Sequence, residues 1–281
     1  DDDPDQIFVH QINILPSNGN ASRLLLSLVH EGGAHANAWS NAPALHASPY
    51  NTGNPAKLDF VLSPRDWIRA VILTEQDAYA KEKWIAALGA QHDPRLNAPE
   101  IQSVHTPQSF QQLRERTGSL HDTLVTIANQ SMTARFIGEN YRFGHFYVGN
   151  ALSTYNACNR INEKPEGLIP VRMDLEDILA VGDSFGPNIL SDERLFGRGD
   201  LSAFIFESGQ KQIKQLNEKL GIEDEEALPT LREALAEKGM TPIEFLEQSK
   251  TPLPKTHKNL KAIPAWQRAE TTQERPQYAF A

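Results

Sequence analysis

Leu24-Leu25-Leu26-Ser27-Leu28-Val29-His30-Glu31-Gly32-Gly33-Ala34-His35 is an apolar run that ends in an H-E-x-x-x-H element. Two imidazoles flanking a carboxylate, with a second carboxylate further along the chain at Glu75, can make a catalytic zinc site. Residues advance about 100° along an α-helix, so histidines at i and i+5 lie about 140° apart and a regular helix points them in diverging directions. A single π-type bulge absorbs one extra residue, and such bulges concentrate at functional sites. Gly32 and Gly33 sit between the histidines, where they free the backbone to bulge at a cost in helix stability that metal binding would offset. The plainer alternative is a helix that simply ends at Gly-Gly, with the polar residues incidental.

Upstream, Ser17-Asn18-Gly19-Asn20 reads as a turn that supplies an N-cap, and Leu24, Leu25, Leu28 and Val29 form the apolar stripe carrying His30 and Glu31 inward. Ile7 to Leu15 alternates like a strand, an edge on which an extended peptide could pair. Downstream, Ser63-Pro64-Arg65-Asp66 combines an N-cap, a proline in the first turn and an acid at the third helical position. The helix it starts is expected to run to about Gly89, with an apolar face through Trp67, Ile68, Val71, Ile72 and Tyr79 that takes in Glu75 by steps of three and four. An inward carboxylate needs a dication, an arginine such as Arg69, or a proton. Asp77 lies off that face and suits a hydrogen bond behind the ligands or to another helix.

With these residues in view, the chain resembles bacterial zinc metallopeptidases of gluzincin type, small and mainly helical. The matching segments are Leu24-Leu25-Leu26-Ser27-Leu28-Val29-His30-Glu31 and Thr74-Glu75-Gln76-Asp77-Ala78-Tyr79-Ala80. The likeness covers roughly residues 7 to 90, more weakly the aromatic segment 136 to 155. It implies one zinc ion per chain, with His30, His35 and Glu75 as ligands and Glu31 as general base. The chain departs from the family in having three residues, not two, between Glu31 and His35. A comparable longer element is active in certain dipeptidyl peptidases. The implied chemistry is peptide hydrolysis: zinc lowers the pKa of a bound water to about 7, and Glu31 takes its proton and passes it to the leaving amine.

The oxyanion of such a reaction needs a donor. The segment Arg135 to Tyr147 is rich in suitable groups, so Tyr141, Arg142 and His145 are candidates to stabilise substrate, against the alternative that the stretch is core packing with solvated charges. His46 lies in a proline-rich loop and reads as surface.

The chain has 281 residues and a formal net charge of -9, with no basic stripe, which disfavours a nucleic-acid partner and leaves a peptide or protein as the expected one. No apolar run is long enough to span a bilayer. Cys158 is the single cysteine, which excludes an internal disulfide and favours a reducing, cytoplasmic setting. The opening Asp1-Asp2-Asp3 lacks Met and fits removal of a leader or an N-terminal region, which leaves secretion open.

The pattern predicts a mainly α (α+β) chain with a small N-terminal strand or sheet and helical core over 1–163, a helical region over 164–250 and an extended or disordered tail over 251–281; the resemblance implies that the core is zincin-like. Helical rhythm runs through 107–130 and from Thr133 to about Ile161, broken at Lys164-Pro165-Glu166-Gly167. Beyond it the pattern gives a long loop over 182–200 and helices near 203–220, 227–238 and 242–248, the last two started by Pro229-Thr230 and Thr241-Pro242. Alternatives to the peptidase are a catalytically silent zinc-binding protein and a metal-free helical interaction protein.

Overall fold

A computed structural model describes residues 21–31, 60–102, 108–134, 141–159, 161–163, 167–178, 189, 192–195 and 199–249. The expected strand over 7–15, the turn at 17–20 and the tail over 251–281 lie outside these residues.

The fold is organised by one helix. Ser63 caps it as its sequence predicts, its hydroxyl accepting from the amide of Asp66, and α2 runs from Pro64 to Gly89. Almost the whole circumference of its first five turns is buried, polar residues Thr74, Gln76 and Asp77 included. A helix enclosed on all sides is the centre of a bundle. Around it pack α1 (Ala21–Leu28), α3 (Phe110–Thr117), α4 (Leu120–Met132), α5 (Tyr141–Cys158) and α6 (Gly199–Leu220), with α6 also laid along α5. The helical stretch expected over 107–130 is divided by Gly118, whose φ of 80° ends α3 in the left-handed conformation that glycine adopts without strain. α6 starts at Gly199, earlier than the expected 203, because Gly199-Asp200 opens a helix where composition suggested loop. Then follow α7 (Leu231–Ala236), capped by Thr230 in a reciprocal box with Glu233, and α8 (Pro242–Ser249).

Among the described residues the sheet is small, two strands that the sequence did not mark. β1 (Phe60–Leu62) pairs in parallel with β2 (Ile169–Val171), Phe60 opposite Ile169 and Leu62 opposite Val171. The ladder continues into the head of α2, where Ser63 donates its amide to Val171 at 2.7 Å and Asp66 accepts from the amide of Met173 at 2.8 Å. Residues on both sides of 163, from Phe60 and Trp67 to Leu235 and Phe245, share one core. All the described residues fall within one compact unit, Asp1–Thr251.

Tyr155 crosses from α5 to the end of β1 and donates its hydroxyl to the carbonyl of Leu62 at 2.5 Å, with its ring fully buried. Tyr155→Phe leaves that carbonyl without its donor, so a loss of about 1–3 kcal/mol is expected in urea unfolding. An unchanged midpoint would show that the hydroxyl is dispensable.

Candidate functional site

The site forms where α1 crosses α2. Leu26, in the last turn of α1, is buried in a small cluster with Ala86, Leu96 and Ile101, which ties that turn to the far end of α2. Four residues on, His30 meets Glu82, Tyr79 and Glu75, so α1 runs antiparallel to α2. The buried face of α1 is therefore that of Leu26 and His30. Leu25 and Leu28, expected to point inward, are exposed. Leucines at 24, 25, 26 and 28 spread over about 200° of the helix, so the partner helix decides which of them faces the core.

The helix leaves α geometry at 29–31 and widens into a π turn that carries His30 and Glu31. A five-residue histidine spacing calls for a widening of this kind. His35 lies outside the described residues. Glu31 is exposed.

Glu75 is 7% exposed, on the face of α2 that its spacing predicts. One oxygen, Oε2, faces His30 Nε2 at 3.3 Å; the other, Oε1, accepts the Tyr147 hydroxyl at 2.7 Å. His30 turns its other nitrogen, Nδ1, to Glu82 Oε1 at 3.5 Å, and its ring lies 5.2 Å from that of Tyr79. Burial opposes a charge on His30, but the hydrogen bonds and negative charge of Glu75 and Glu82 outweigh it and raise its pKa to about 10. Burial, then the charge and hydrogen bond of Glu75, hold the Tyr147 hydroxyl protonated well above the usual tyrosine range; the charges of Tyr79 and Glu31 add to this. Lys83, also buried, is pushed down to about 8 by that burial.

Of the other expected site residues, Asp77 is buried and paired with Lys81. Arg69, the alternative partner for Glu75, meets Asp66 at 2.7 Å. Tyr141 and Arg142 lie in the first turn of α5, their side chains outside the description. His145 is half-buried two residues before Tyr147 and so about 200° round the helix from it. Sequence reasoning missed Tyr147, which it counted as packing, and Glu82, which its spacing of seven from Glu75 could have revealed.

Two zinc ligands at the tetrahedral angle, each about 2.0 Å from the ion, stand about 3.3 Å apart, the separation found between His30 Nε2 and Glu75 Oε2. Among the described residues, however, no three His, Cys, Asp or Glu side chains are grouped to hold a metal ion. Glu75 and Glu82 approach different ring nitrogens, whose lone pairs diverge, so they cannot join His30 around one centre. A complete ligand set would need a donor from outside the described residues, where His35 lies. No helix among the described residues is long and apolar enough to cross a membrane. Comparison with protein-family models, with curated proteins and with solved structures finds no match to the chain.

Proposed function

We propose that the chain is a zinc-dependent peptidase with a zincin-like helical core, in which His30, His35 and Glu75 hold the ion. The observation that carries this reading is the approach of Nε2 on a π turn to a buried carboxylate at ligand-to-ligand distance. Bound zinc would supply a polarised water as nucleophile and an electrophile for the scissile carbonyl. The protein's own groups divide the remaining work. Tyr147 occupies one oxygen of Glu75 and leaves the other turned to His30. Glu31, next to His30 and exposed, is free to accept a proton from water and return it to the leaving amine. Asp77 is joined to Lys81. Tyr141, Arg142 and His145 remain the residues proposed to meet the substrate.

The test is a pair of measurements on the full chain. Protein prepared in metal-free buffer and dialysed against zinc is expected to take up one ion per chain. Glu31→Gln is expected to keep that ion while its cleavage of a peptide library falls by about 10²–10⁴-fold. Absence of bound zinc, or full activity in Glu31→Gln, would overturn the proposal. One observation favours a metal-free interaction protein instead: Glu75 and Glu82 already satisfy both edges of a charged His30. Zinc uptake distinguishes that reading from the peptidase; uptake without cleavage of the library would identify a silent zinc-binding relative.

A further inference from the structure

We propose that Glu82 is the positioning residue of this site, holding the Nδ1 edge of His30 so that Nε2 is presented to Glu75. The inference rests on the reading of His30 and Glu75 as metal ligands. Glu75 and Glu82 are seven residues apart, which sets them about 20° apart around α2 and about 10.5 Å apart along it. Tyr79 lies between them on the same strip. The imidazole of His30 fills the gap lengthwise, with Glu75 at 3.3 Å from one nitrogen, Glu82 at 3.5 Å from the other and the Tyr79 ring tilted beside it with centres 5.2 Å apart.

This arrangement distinguishes the two orientations of the ring. Turning it over exchanges Nδ1 with Cδ2 and Nε2 with Cε1, which would give both carboxylates carbon edges in place of nitrogen. Glu82 is 7% exposed, so this buried carboxylate favours the orientation that turns an N–H, and not a C–H, towards it. A histidine that binds metal through one nitrogen usually donates its other N–H to such a group, which fixes tautomer and orientation. Asp77, the acid that sequence spacing suggested for a supporting role, is joined to Lys81.

The experiment compares wild type, Glu82→Gln and Glu82→Ala as full chains, by zinc titration and by long-range proton–nitrogen correlation spectra of the His30 ring. Glu82→Gln keeps an acceptor and the shape of the side chain, so it controls for folding. Zinc affinity is expected to fall 10–100-fold in Glu82→Ala and less in Glu82→Gln, with the ring nitrogen signals displaced in Glu82→Ala. Unchanged affinity and ring signals in Glu82→Ala would overturn the role of Glu82 while leaving the metal site intact. If wild type takes up no zinc, the metal reading fails by itself. The zinc-free ring spectra then decide whether Glu82 holds the ring, and coincident wild-type and Glu82→Ala signals would refute it.

Discussion

In the proposed zinc site, Glu75→Gln is expected to reduce zinc affinity by about 100-fold or more, at least the upper end of what loss of a supporting residue costs. Glutamine keeps the size of the side chain and can still accept the Tyr147 hydroxyl, but it removes the negative charge that faces His30 Nε2. The same substitution has a signature without metal. In chelator, the folded protein holds a proton on His30 up to about pH 10, whereas the unfolded chain releases it near the ordinary value of 6.5. Between those values the folded state binds more protons, so stability is full below about 6.5 and falls as pH rises towards 10. The loss is on the order of a few kcal/mol in wild type. It should shrink in Glu75→Gln, with its upper end moved to lower pH. Urea midpoints at pH 6, 8 and 10 check the expectation, and parallel pH profiles for the two proteins would contradict it.

Trp67→Ala is expected to cost about 3–5 kcal/mol, the usual range for removing a large aromatic from a packed core. Trp67 is 2% exposed on the first turn of α2, with its ring centre 5.4 Å from that of Tyr155. That pair joins the central helix of the bundle to the helix that carries Tyr147. Against a total stability of about 5–15 kcal/mol for an ordinary domain, the variant would be close to unfolding. Urea unfolding followed by circular dichroism measures the loss; a value under about 1 kcal/mol would mean the neighbours close the space that the indole leaves.

Local chemistry was legible in the sequence wherever it acts over a single turn. Ser63-Pro64-Arg65-Asp66 announces α2, and Thr230 announces α7, because a cap is satisfied by residues three positions away. The strands were not legible. Phe60–Leu62 and Ile169–Val171 are three residues each, too short for an alternating pattern, and their pairing joins distant parts of the chain. At the site, Glu75 was visible because steps of three and four link it to Trp67, Ile68 and Tyr79 on a helix that must be buried. Glu82 lies two turns beyond Glu75 on the same strip, a spacing that could have revealed it, although its role is read only with His30 beside it. Tyr147 belongs to an aromatic set whose spacing fits core packing, and its hydroxyl is distinguished only by the oxygen it meets. The facing of α1 was misjudged because a run of leucines carries no direction of its own.

The parallel pairing of β1 with β2 also bears on how the chain is made. Residue 62 leaves the ribosome roughly a hundred residues ahead of its partner at 171, so the two cannot meet until α2 to α5 have been synthesised. Until then Phe60, Val61 and Leu62, all buried in the finished protein, have only the helices to cover them. Closure of that distant contact belongs late in folding, after the local helical contacts, and until then the nascent strand is apolar chain of the kind that chaperones shield.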